Sequence, residues 1–465
     1  MIRLGLILVL IMAFLVSCNE NKGKEYIYFS DGNIENQNSD SLFITEFYGD
    51  SALKVFNVIE GKVIRDSVLL PMAYYRIGDG TESTVCFLKP SFDINISLNT
   101  KDFDESLKYS GKGAVENNYL AEKFLLEENF GELNYYGYYG KLDEAKFVKL
   151  TDSLYNLRLN LFNKYKNDFD KDFLFIEYEN IQTDYLLKFT DFEGIHRFVT
   201  GDKDFKVSDT FFNPYDSIDV NNERLLILPN YINFVNSYVR KLTSDLLKDN
   251  DTTISIDVYN NTFIDIVDTL IKNKNIRQEV AYYFGKYDFN SLKEPEHSYQ
   301  KLKSIITNKE YLKLIEETYN KIKRIQKGNI SPTFEFFDVD SNLVKLEDLK
   351  GKIVYIDIWS LWCLPCRKEI PYLEELEAKY KDNDIAFVSI CKDDTRTRWR
   401  KSIIASELNG IQLFAPDNNI AFFEDYMVDG VPRYILIDKN GYIIDSDAPR
   451  PSSKDIEELF NELLN

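Results

Sequence analysis

At 465 residues the chain is too long for a single core and calls for about three domains. Its 44% hydrophobic and 14% aromatic content excludes wholesale disorder, and a formal charge of −20 leaves no electrostatic reason to bind a nucleic-acid backbone. The only two histidines, His196 and His297, are far apart in sequence, which speaks against Ser-His-Asp catalysis and histidine-rich metal sites.

Residues 1–17 combine one early charge, Arg3, with an apolar run from Leu4 to Val16 and the small residue Ser17. This pattern predicts an export signal. The run falls short of the ~20 residues a spanning helix needs, so its removal is expected rather than its retention in a membrane. Leu15-Val16-Ser17-Cys18 resembles the lipobox of bacterial lipoproteins, in which the cysteine is acylated and becomes the first mature residue. The resemblance implies lipidation at Cys18, with residues 18–24 as a polar tether that anchors the protein without spanning the bilayer.

From 25 to 112, short β-branched and aromatic runs alternate with polar turns: Tyr26 to Phe29, Leu42 to Phe47, Leu53 to Ile59, Val63 to Leu70, Ala73 to Ile77, Thr84 to Leu88 and Phe92 to Leu98. The spacing predicts a small antiparallel sandwich-like β domain, with a tight turn at Glu60-Gly61. Cys86 lies inside one run and reads as a small buried hydrophobe. After Gly113 the period changes, and 113–327 reads as a mostly helical domain. Its stripes include Leu154, Leu157, Leu161 and Tyr165, and later Leu312, Ile315, Tyr319 and Ile322. Thr307 with Glu310 predicts a capping box before the last helix. Tyr135, Tyr136, Tyr138 and Tyr139 are candidates for a ligand or partner surface, but no polar constellation accompanies them. Together the two regions resemble the β-rich and helical segments that precede thioredoxin modules in many bacterial envelope lipoproteins. That likeness implies an accessory role in substrate selection, dimer formation or positioning.

Lys327-Gly328-Asn329 breaks the last helix, and 328–465 reads as an α/β domain. Ile353 to Ile358 and Ile385 to Ile390 suit central strands buried on both faces, and Arg367 to Tyr380 has a helical stripe. Tyr434 to Ile437, the turn Asn440-Gly441 and Tyr442 to Ile444 predict a hairpin before a final helix. At the strand-to-helix junction stands Trp362-Cys363-Leu364-Pro365-Cys366. Two intervening residues let both sulfurs meet across the first helical turn, and the helix N-terminus favours the thiolate form of the first. Half of a zinc site is the competing reading of this pair, but Cys86 and Cys391 are isolated and no histidine is near in sequence.

The run Asp357-Ile358-Trp359-Ser360-Leu361-Trp362-Cys363-Leu364-Pro365-Cys366 resembles the active-site run of thioredoxins. Gly430-Val431-Pro432 matches that family's cis-proline loop, and Pro371 its helix-kinking proline. The insertion between Lys392 and Tyr426, with Arg367-Lys368-Glu369-Ile370-Pro371, further resembles the TlpA/ResA-type thiol-disulfide oxidoreductases of the bacterial cell envelope. The resemblance implies a thioredoxin fold in which Cys363 is the exposed nucleophile and Cys366 the buried resolving thiol. It casts Asp357 as the buried carboxylate that accepts or relays the Cys366 proton, and Glu369 as an acid near the site. Satisfied buried carboxylate and solvated helix charge remain the plainer readings of these two acids. Pro432 in the cis form would leave the Val431 backbone open to a substrate strand, with Trp362, Leu364, Pro365 and Arg433 as further substrate-binding positions. Arg433 departs from the Thr or Ser common after this proline.

The expected function is that of a membrane-anchored thiol-disulfide oxidoreductase, periplasm-facing or on the cell surface, that reduces disulfides of exported proteins without a cofactor or metal. Reduction is the expected direction because Leu364-Pro365 supplies no histidine to stabilise the thiolate; an oxidising compartment then calls for a supply of electrons, and the resemblance implies a membrane electron-relay reductant as partner. The alternative is a binding or scaffold lipoprotein whose N-terminal domains carry the main function. A peroxidase is a weaker reading, since no Thr-x-x-Cys setting surrounds Cys363.

Overall fold

In the computed structural model, the described residues are 26–464 apart from 31, 50, 132–134, 249–253, 393, 407 and 417–420, and apart from the side chains of 135 and 136. The expected export signal, Cys18, the tether, and the side chains of Tyr135 and Tyr136 lie outside them. The chain divides into two compact units. One takes the chain up to Leu246 with Leu270–Val280, and the other takes Leu247–Thr269 with Ala281–Asn465. Among the described residues no helix is long and apolar enough to cross a membrane.

The first unit opens with β1 (Ile27–Phe29), β2 (Asn33–Glu35), β3 (Ser41–Glu46), β4 (Ala52–Ile59), β5 (Lys62–Val63), β6 (Asp66–Val68), β7 (Ala73–Gly78), β8 (Ser83–Leu88) and β9 (Asp93–Asn99). The short helix α1 (Phe103–Ser106) and β10 (Lys108–Lys112) follow. The strands join in the order β6-β1-β9-β2-β5-β4-β3-β7-β8, with β10 also on β9. Period-two burial along β3 and β9 sends Leu42, Ile44, Ile94, Ile96 and Leu98 into the core. Most pairs are antiparallel, as expected, but β1 and β2 run parallel to β9. Parallel neighbours need a long crossover, and more than fifty residues separate these partners, so no local turn pattern announces them. Two strands carry no sequence signal of their own: β2 has three residues, and β10 buries only Tyr109.

Helices α2 (Ala114–Phe130), α3 (Glu144–Tyr165), α4 (Lys171–Thr200) and α5 (Tyr231–Leu247) continue this unit. In α3 the expected stripe is half right: Leu154 and Leu161 are buried, but Leu157 is exposed. The neighbouring Arg158 is buried instead, its Nε 2.7 Å from Glu127, because an ion pair supplies the partner that burial of its charge requires. Beside it, fully buried Glu177 accepts from Lys123 at 2.7 Å, from Tyr119 at 2.9 Å, and from Tyr74 on β7.

In the second unit, α6 (Ile256–Leu270) and α7 (Lys274–Tyr287), each shared with the first, lead to α8 (Glu296–Ile305) and α9 (Lys309–Arg324). The N-cap of α9 is Asn308, which accepts from Glu310 N and Tyr311 N. The Thr307 capping box is therefore displaced by one residue, because the amide oxygen of Asn308 already meets the first free N–H groups. The C-terminal part contains β11 (Glu335–Asp338), β12 (Leu343–Lys345), β13 (Ile353–Trp359), α10 (Leu364–Lys379), β14 (Ile385–Cys391) and α11 (Arg396–Ser406). It ends with β15 (Ile411–Phe414), α12 (Ala421–Asp425), β16 (Arg433–Ile437), β17 (Ile443–Asp445) and α13 (Lys454–Leu464). Its sheet order is β12-β11-β15-β14-β13-β16-β17, with β13, β14 and β15 parallel and β16 antiparallel to β13. Every residue of β13 and β14 is buried, as the continuous apolar runs require. Val354, Ile356 and Ile358 enter the core on one face, whereas Ile353 and Tyr355 meet Leu373 and Leu376 of α10 on the other. Asp357 shares that second face, so the fold buries a carboxylic acid beneath α10.

Candidate active site

Strand β13 ends at Trp359, and four residues later the chain turns into α10. Cys363 is its N-cap, and Cys363 Sγ accepts from Cys366 N at 3.1 Å. Pro365 stands in the first turn, where a missing N–H costs nothing. Ser360 fixes the corner: its carbonyl accepts from Cys363 N at 3.1 Å and its hydroxyl donates to Lys392 O at 2.8 Å. Cys363 and Cys366 form a disulfide. Helix N–H groups at this sulfur stabilise negative charge on it when the pair is reduced.

Both sulfurs are covered in this oxidised form. Cys363 is 2% exposed and Cys366 3%, so the expected contrast between an exposed nucleophile and a buried partner is not present. Close packing causes this, since the pair shares a cluster with Trp359, Cys391, Trp399, Ile403 and Phe414, flanked by Val431. Trp362 and Leu364 project instead, at 61% and 55% exposed, with exposed Pro365 beside them. The Val431–Pro432 bond is cis, and Val431 O lies 3.7 Å from Cys363 Sγ. Arg433 is directed elsewhere: its Nε donates to Ser446 O at 3.0 Å and lies 3.3 Å from Asp447.

Asp357 is buried and its Oδ1 has no hydrogen-bond partner. Burial pushes its carboxyl up to about 8, with repulsion from Glu369 and Glu377 adding to the effect. A carboxyl shifted this far can gain or lose a proton near neutral pH. Glu369 is also buried, and both its oxygens accept from Ser452, Oε2 from the backbone N and Oε1 from the hydroxyl, each at 3.0 Å. The structure thus brings together the two cysteines, Val431, Pro432 and the apolar rim, places Asp357 under the same helix, and ties Glu369 to the loop before α13.

Sequence reading missed Glu377, whose carboxyl burial pushes up to about 7, and Gln412, which lines a crevice with Asp357. The available signal was positional. Glu377 falls eleven residues after Cys366, on the core-facing stripe of α10, where an apolar residue is the norm. Among the described residues no group of three or more His, Cys, Asp or Glu could hold a metal ion.

Comparison with known proteins matches the redoxin family to residues 326–463. The thiol-disulfide oxidoreductase ResA of a Bacillus cereus strain is 30% identical over 141 residues, which are 30% of this chain and 80% of that protein. ResA of Bacillus anthracis is 29% identical over 142 residues, 30% of this chain and 80% of that protein. Among solved structures, the thioredoxin domain of a thiol-disulfide oxidoreductase from Bacteroides vulgatus is 28% identical, covering 30% of this chain and 98% of that one with a TM-score of 0.28.

Proposed function

The chain belongs to the ResA-like thiol-disulfide oxidoreductases through its C-terminal part, and it is a redox enzyme; we propose that it reduces disulfides of exported proteins while anchored to a membrane through acylated Cys18. The observation that carries this reading is the Cys363–Cys366 disulfide at the start of α10, with a buried Asp357 whose Oδ1 lacks a partner beneath the same helix. In the reduced enzyme the Cys363 thiolate attacks a substrate disulfide, breaking its S–S bond, forming a mixed disulfide and releasing one substrate thiolate. Asp357 takes the proton from Cys366. The Cys366 thiolate then attacks Cys363 Sγ, closing the enzyme disulfide and releasing the second substrate thiolate. Two electrons have passed to the substrate, and an external dithiol on a membrane electron relay restores the enzyme pair. Exposed Trp362, Leu364 and Pro365 offer an apolar landing for unfolded chain, and the Val431 backbone lies beside the sulfurs.

Covalent trapping tests the order of attack. Cys366→Ala should retain substrates on Cys363 as mixed disulfides that a reductant releases, whereas Cys363→Ser should retain none. Equal trapping by both variants, or failure of the reduced wild-type chain to reduce insulin, contradicts the reading.

A further inference from the structure

A crevice of about 20 Å³ lies beneath α10, with Asp357 and Trp359 of β13, Ser389 of β14, Glu377 of α10, Asn409 and Gln412 in its wall. Four polar atoms of these residues have no hydrogen-bond partner: Asp357 Oδ1, Trp359 Nε1, Glu377 Oε2 and Gln412 Oε1. Asp357, Trp359 and Gln412 are each more than nine-tenths buried. Orphaned buried polar atoms are rare, and four of them on residues from three elements that line one crevice point to a shared partner. The set offers one N–H donor and three oxygen acceptors, a lining that water can bridge; a water molecule needs roughly 10–15 Å³ and two to four polar partners. Glu377, unlike the other three, is only half-buried. It is therefore the one orphaned group of the four with access to solvent.

We propose that Glu377 is a positioning residue for proton exchange, the outer carboxyl through which the proton taken up by Asp357 passes by way of water to the solvent. The proposal rests on the reading of Asp357 as acceptor of the Cys366 proton. The Cys366 S–H gives its proton to the Asp357 carboxylate. The Asp357 O–H gives it through water to the Glu377 carboxylate, and Glu377 releases it to bulk. No electrons move in these transfers; the electron pair stays on Cys366 sulfur and forms the new S–S bond. The electrostatics suit a two-way exchange near neutral pH, because burial pushes Asp357 to about 8 and Glu377 to about 7. The groups that face them are Glu369 and Glu374 on α10, Tyr355 on β13 and Tyr434 on β16. Among the described residues no lysine, arginine or histidine lines the crevice, so no cation holds the two acids ionised. Glycine at 410 leaves room for the outer group, since a Cβ there would lie 2.5 Å from Glu377 Oε1.

The test is single-turnover oxidation of the reduced full chain by a disulfide peptide, followed by tryptophan fluorescence from pH 5.5 to 9 in wild type, Asp357→Asn, Glu377→Gln and Glu377→Asp. Glu377→Gln should slow the closing of the enzyme disulfide by about tenfold near pH 7 and move its pH profile, while iodoacetamide alkylation of Cys363 keeps its wild-type rate. Glu377→Asp, which keeps a carboxyl, should be faster than the Gln variant. A wild-type rate and pH profile in Glu377→Gln, or equal slowing by Gln and Asp, overturns the assignment. Slow Asp357→Asn beside wild-type Glu377→Gln sinks the role of Glu377 alone; wild-type behaviour in Asp357→Asn sinks the reading on which it rests.

Discussion

Asp357 has a carboxyl whose proton the fold holds more tightly than water does. Its folded value of about 8 lies above the ordinary 3.8, so between those limits the folded chain keeps a proton that the unfolded chain has lost. The sign follows: this residue costs stability progressively as pH rises from about 4 to about 8 and costs nothing below that range. Asp357→Asn should therefore gain on wild type by about 1.4 kcal/mol per pH unit between pH 5 and 7. Urea unfolding of the oxidised chain at several pH values measures this. All three tryptophans, Trp359, Trp362 and Trp399, lie near the site in sequence, so fluorescence reports this module. A stability gap independent of pH would show that Asp357 is not held protonated. The same residue change should slow closing of the enzyme disulfide, because an amide cannot take the Cys366 proton.

At the scale of the element, the start of α10 combines two opposed demands. Its first turn directs N–H groups at Cys363 Sγ and needs a tightly packed corner, which Ser360 and the Trp359 cluster supply. Its outer surface leaves Trp362 and Leu364 in solvent, where burial against a bound chain would remove their apolar area from water. Trp362→Ala with Leu364→Ser should raise KM for an unfolded protein substrate by about tenfold. The reaction of the enzyme disulfide with dithiothreitol should stay near wild type, because that small reductant needs no apolar landing. Equal loss towards both reductants would place these side chains in the support of the disulfide and not in substrate capture. Glu369, on the same helix, ties it to Ser452 and so to the segment that leads into α13.

Across the whole molecule, buried charge is handled in two ways. Beneath α10 acids face one another without cations, which raises their proton affinity and suits exchange. In the first unit Glu177 is buried with Lys123 at 2.7 Å and two tyrosine hydroxyls, so these two charges are matched and the network joins β7 to α2 and α4. Glu177→Leu would leave the Lys123 ammonium buried and alone, and should lower the stability of that unit by about 3–5 kcal/mol. Thermal unfolding followed by far-UV circular dichroism measures the change; a wild-type melting profile would mean that the pair is relaxed by water.

The sequence by itself determined what depends on neighbours along the chain. The Cys-Leu-Pro-Cys spacing, the apolar runs of β13 and β14, and the turn at Asn440-Gly441 are local, and periodicity together with helix-terminus chemistry made them legible. Tertiary structure alone decided which face Asp357 occupies, that Cys363 is covered when oxidised, that Arg433 turns to Asp447, and that β1 and β2 run parallel to β9. It alone gathered Trp359, Glu377 and Gln412 around one crevice. The reason is physical: hydrogen-bond satisfaction, desolvation and shared charge are properties of atoms brought close by folding, and separation along the chain carries no record of that proximity.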